Sequence, residues 1–96
     1  MPTISFIGPK YMSQRDEAAF FYWLKRIPSV VGVTGSVRTL TVQVRGQGLP
    51  DETLRELLAL FRRYRIGMRQ FARYESAANR QWFRKRSAYW YKGVFG

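Results

Sequence analysis

The sequence predicts an α+β fold in βαββαβ, ferredoxin-like order: a four-stranded antiparallel-type sheet with two main helices. Three observations predict it. Apolar residues recur at three- and four-residue intervals in "QRDEAAFFYWLKRI" and again in "DETLRELLALFRR", the period of amphipathic helices. "VRTLTVQV" alternates apolar and polar residues, the period of a half-buried strand. Turn signals separate these runs in the order a split βαβ pattern requires. A short third helix and an aromatic C-terminal tail packed on the domain complete the expectation.

"TISFI" (3–7) is a β-prone run closed by Gly8-Pro9. Ser13 offers an N-cap to the first helix, with Asp16 and Glu17 at its positive end. Phe20, Trp23, Leu24 and Ile27 share one face, and Pro28 ends the helix. "VVGV" and "VRTLTVQV" flank Thr34-Gly35-Ser36, and Gly35-Ser36 predicts a tight hairpin. Leu40, Val42 and Val44 face the core, while Thr39, Thr41, Gln43 and Arg45 face outward. Pro50, Asp51 and Glu52 open a second helix that buries Leu54, Leu57, Leu58 and Phe61. Beyond it the spacing of Tyr64, Met68 and Phe71 fits either a continued helix or a new strand. The strand, starting at Ile66 with Met68 inward, is preferred because it completes the sheet. "SAANRQWF" reads as a short helix capped by Ser76, and "AYWYKGVFG" as an irregular or extended tail.

Ninety-six residues fit one domain, 1–96. The chain has no cysteine, which suits a cytoplasmic location, and "MPTISFIGPK" lacks the pattern of a secretory signal. The longest apolar run, "AAFFYWL", is too short to span a membrane. A surface-lying basic helix is also disfavoured, because "ANRQWFRKRSAYWYK" mixes aromatic and basic positions without a helical split.

Charge is the strongest functional signal. The formal net charge is +11, and its distribution is uneven. Residues 1–61 hold seven Lys/Arg and five Asp/Glu, whereas residues 62–96 hold ten Lys/Arg and one acid, Glu75. This asymmetry predicts an anionic partner at the C-terminal third, contacted by Arg80, Arg84, Lys85, Arg86 and Lys92 together with Arg69 and Arg73. Arg62, Arg63 and Arg65 stand near enough in sequence to join them, although cations also suit the C-terminal end of a helix.

An enzyme is not expected. Histidine and cysteine are absent, which removes the commonest general base, the thiolate nucleophile and nitrogen or sulfur metal ligands. Asp16, Glu17, Asp51 and Glu52 sit where helix starts favour negative charge, and Glu56 and Glu75 make no dyad. "GQG" (46–48) lacks the remaining residues of a phosphate loop. No cofactor is implied. The RNA-recognition module shares the βαββαβ order but stacks bases on aromatics of its central strands. "VRTLTVQV" has none, so that platform is missing. A general cationic, Arg-rich footprint remains, suited to nucleic acid or to an acidic protein partner, with nucleic acid slightly favoured on charge.

The closing "QWFRKRSAYWYKGVFG" holds six aromatics that serve either as stacking surfaces or as anchors across the sheet. Docking is the preferred reading for Trp82, Phe83 and Trp90, with Tyr89, Tyr91 and Lys92 outward. With "LLALFRRYRIGMRQFARY", the ending "AYWYKGVFG" resembles a family of short bacterial proteins of unassigned function. Members similarly end in Tyr-Trp-Tyr-Lys-x-Val-Phe-Gly. Small α/β proteins of this kind are sometimes toxin-immunity proteins, so the resemblance implies a protein partner. An immunity-type protein this basic would need an acidic or largely apolar toxin face.

Overall fold

β1 (Thr3–Ile7), β2 (Val30–Ser36) and β3 (Thr39–Val44) form an antiparallel sheet in the order β1-β3-β2. The structure is a computed structural model and describes residues 2–96. Ile4, Phe6, Val42 and Val44 are buried, while Thr3, Ser5, Ile7 and Thr39 are exposed, so the period-two pattern sorts the strands into two faces. The outer face is neutral and hydroxyl-rich. Ser5 and Thr41 share a hydrogen bond of 3.0 Å, and Gln43 Nε2 donates to Thr34 Oγ1.

α1 (Gln14–Arg26) starts at Ser13, whose side chain accepts from the Asp16 amide, and it buries Phe20 and Leu24. α2 (Asp51–Arg63) follows Pro50 and buries Thr53, Leu54, Leu57, Leu58, Leu60 and Phe61. So broad a buried surface means that α2 is covered on more than its sheet side. Thr53 Oγ1 donates to the Pro28 carbonyl at 2.6 Å, tying the start of α2 to the end of α1. The rest of the chain covers α2. Phe71 meets Phe61 edge-on at 4.9 Å, and Phe83, Trp90 and Val94 join the same buried cluster.

The structure corrects the sequence expectation at four places. No fourth strand forms among the described residues, because Arg69–Tyr74 is a 3-10 helix. The cause lies at the end of α2: Ile66 N donates to Phe61 O, and Arg65 N to Arg62 O, the paired bonds of a Schellman motif. Arg65 occupies the left-handed position (φ 58°) where glycine is usual. The reversal also rules out one long helix, and it carries Phe71 onto Phe61. Met68 is buried as expected, but from the N-cap position of the 3-10 helix.

The hairpin turn lies at Val37-Arg38, not Gly35-Ser36, since Ser36 pairs with Thr39. Gly35 instead lies inside β2 opposite Leu40, where a Cβ would meet a Leu40 methyl in ordinary contact at 3.4 Å. The third helix is shorter than expected, α3 (Arg80–Phe83), because Ser76 and Asn79 close a turn first. The Ser76 amide donates to Asn79 Oδ1, and the Asn79 amide to Ser76 Oγ. Finally, the tail is not extended. It ends in a short helix, α4 (Tyr91–Phe95), and it covers α2 and the 3-10 helix rather than the open sheet face.

Candidate anionic-partner interface

All seventeen Lys and Arg residues are exposed. Among the described residues only Arg80 and Arg84 form salt bridges, and both meet Glu75. Arg84 is bidentate, with Nε 2.6 Å and an η nitrogen 2.9 Å from the two carboxylate oxygens. Arg80 Nε adds a bond of 3.1 Å. The Ser76–Asn79 turn makes this possible by folding α3 back towards Glu75. The hydrogen bond from Arg84, then that from Arg80, hold the Glu75 carboxyl down at about 2 against the opposing effect of burial. The Arg84 guanidinium also lies 4.2 Å from the Phe95 ring centre. Two of the sequence-predicted contact residues are therefore held in ion pairs within the chain.

The others differ. Arg69 donates to the Gly96 carbonyl at 3.0 Å, which joins the 3-10 helix to α4. Lys85, Arg86, Lys92 and Arg73 are exposed. Trp82 is half-buried and committed: its Nε1 donates to Asp51, and the Arg55 guanidinium stacks 3.9 Å from its ring centre. Trp90 is buried, and its Nε1 donates to the Phe83 carbonyl at 2.7 Å.

A different arrangement stands at the C-terminal end of α2. Trp23 of α1, Ala59, Arg62 and Arg63 of α2, and Tyr89 line one shallow depression. The small side chain of Ala59 leaves a gap between the two aromatics. Trp23 Nε1 donates to Glu56 Oε1 at 3.0 Å, which fixes the indole. Tyr89 stacks edge-on against buried Trp90 at 4.9 Å yet remains 45% exposed, so one ring face is held in place and open. Burial and then the nearby Glu56 raise the Tyr89 phenol above its ordinary value, while Arg62 opposes them. That direction keeps the tyrosine neutral at ordinary pH. Rigid aromatic faces beside unpaired guanidinium groups offer stacking and phosphate contacts together.

Sequence reasoning placed Arg62 and Arg63 in the basic footprint but did not pair them with Trp23 or Tyr89. Trp23 sits at the edge of the apolar stripe of α1, which is the one signal that it is not wholly core. Among the described residues no group of three His, Cys, Asp or Glu side chains is placed to hold a metal ion. No helix among them is long and apolar enough to cross a membrane. No family model, curated protein or solved structure matches this chain.

Proposed function

We propose that the protein is a non-enzymatic binder of an anionic partner, and that the partner is nucleic acid, most readily a single strand. One observation supports this above the others: Arg62 and Arg63 flank the rings of Trp23 and Tyr89 with no carboxylate among the described residues paired to either guanidinium. Phosphates would meet the guanidinium forks while unstacked bases lie on the aromatic faces, a mode tolerant of sequence. Lys85, Arg86, Lys92 and Arg73 would add longer-range attraction. The test is fluorescence anisotropy with mixed single-stranded oligonucleotides over a range of salt. Affinity should fall linearly on a logarithmic scale as salt rises. Absent or salt-independent binding would remove the reading.

A second reading, an acidic protein partner of the immunity-protein kind, is supported by a separate feature. The outer edge of β1 is open, and basic residues stand beside it.

A further inference from the structure

We infer that the open edge of β1 docks an extended, acidic peptide segment of another protein, which adds to the sheet as a fourth strand. The inference rests on the protein-partner reading and not on the nucleic-acid one.

The hydrogen-bond parity of β1 comes first. Gly8 N donates to Arg38 O, and Val44 N donates to Pro2 O, so even-numbered residues bond to β3. In an antiparallel ladder the intervening residues, Thr3, Ser5 and Ile7, then direct their N–H and C=O groups away from β3. Of these groups the Ser5 carbonyl has a partner, the side-chain amide of Gln70 at 3.0 Å. A glutamine side chain thus occupies part of the place where a neighbouring strand would bond.

A groove runs along this edge, between Ser5–Lys10 on one side and Arg63–Gly67 with Gln70 on the other. The chain leaving the Schellman turn at Arg65 forms the groove's far wall, and it meets β1 through the Gln70 side chain. Lys10, Arg63 and Arg65 line it against one carboxylate, Asp16, which already accepts from Met12 N and Tyr64 Oη. Ile7 and Met12, 63% and 87% exposed, supply apolar contacts for alternate side chains of an added strand.

Charge selects the occupant. A second copy of this chain would bring another +11 to a rim that is already basic, so edge-to-edge self-pairing is opposed. An acidic strand is attracted by the same rim. The other free edge, on β2, differs: the register shifts between Val30 and Gly32, and such a bulge disrupts strand addition.

The test uses a fluorescent ten-residue peptide alternating Glu with Val or Thr, its Lys-for-Glu counterpart, and a single-stranded oligonucleotide. Each is titrated while amide hydrogen exchange is followed. The Glu peptide should bind and slow exchange at the Ser5 and Ile7 amides, and the Lys peptide should not. Ser5→Pro removes an outward N–H without removing a backbone bond to β3, loses only the Ser5–Thr41 hydroxyl pair on the outer face, and should weaken the Glu peptide about tenfold. Arg65→Gly removes a rim charge where glycine suits the backbone, and should weaken it several-fold without loss of fold. A Glu peptide that does not bind, or binds without protecting those amides, overturns the proposal. So does unchanged affinity in both variants. If the oligonucleotide alone fails to bind, the nucleic-acid reading falls and the edge site stands.

Discussion

Arg80 and Arg84 near α3, and Arg62 and Arg63 at the end of α2, are exposed guanidinium groups of one charged third of the chain, yet they are differently placed to meet a partner. The first pair closes on Glu75, and Arg84 covers the ring of Phe95. The second pair meets no carboxylate among the described residues, and the rings beside it, Trp23 and Tyr89, keep open surface. Drawing Arg84 into a complex would require breaking a bidentate ion pair first, whereas Arg62 and Arg63 need only shed water. Net charge in a sequence counts cations. Their availability depends on where the few acids fold.

The comparison can be broken most severely by removing what supports both regions. Phe83 is fully buried and packs at 5.0 Å against Phe95, the ring under Arg84. Phe83→Ala should cost about 3–5 kcal/mol of stability, read as a fall of more than about 10 °C in the thermal midpoint. An unchanged midpoint would mean that the segment after residue 80 is not integral to the core.

Next in size is an effect on binding. Tyr89→Ala removes an open ring without touching a charge, and should cost about 1–3 kcal/mol of affinity for a single-stranded oligonucleotide. Tyr91→Ala, beside the covered Phe95, should cost far less. Equal losses would erase the distinction between the two regions.

A smaller effect concerns the turn that sets Arg65. Its left-handed φ of 58° is disfavoured for a side chain with a Cβ, so Arg65→Gly should stabilise by about 0.5–1 kcal/mol in chemical denaturation. A loss of stability would show that the guanidinium makes a compensating contact.

The smallest effect is the pH response of the Glu75 cluster, because both arginines are exposed. With the folded Glu75 carboxyl near 2 and an ordinary glutamate near 4.5, the ion pair contributes stability above about pH 4.5. That contribution is lost as pH falls towards 2. Glu75→Gln should therefore flatten the acid side of the stability profile, and an unaltered profile would mean that the cluster is not formed in solution.

Much of the fold was legible in the sequence because several signals agreed. Ser13 with Asp16 and Glu17 fixed the start of α1, and Pro28 its end. The alternation in "TLTVQV" assigned β3 to its two faces. Where signals competed, the reading failed. After α2 the spacing of Tyr64, Met68 and Phe71 fitted helix or strand, and the left-handed residue that decides the path is Arg65, which no propensity scale favours. Gly35 resembled a turn residue although it pairs with Leu40 inside β2, and a β-branched Val37 took the positive-φ position (57°). α4 contains Gly93 and aromatic residues, which are poor helix formers, so its helicity depends on tertiary burial of Val94 and Trp90. The basic footprint was legible as a charge excess. Its partition was not, because Arg80 and Arg84 lie five and nine residues beyond Glu75 and reach it through a turn rather than along a helix.

The most direct measurement is the salt dependence of oligonucleotide binding for three proteins: the native chain, Arg62→Gln/Arg63→Gln, and Arg80→Gln/Arg84→Gln. The account predicts that the first double variant loses about two contacts' worth of logarithmic salt slope, roughly one for each arginine. The second should keep nearly the native slope and affinity. A slope lowered only by the Arg80/Arg84 substitutions, or lowered equally by both, would contradict it.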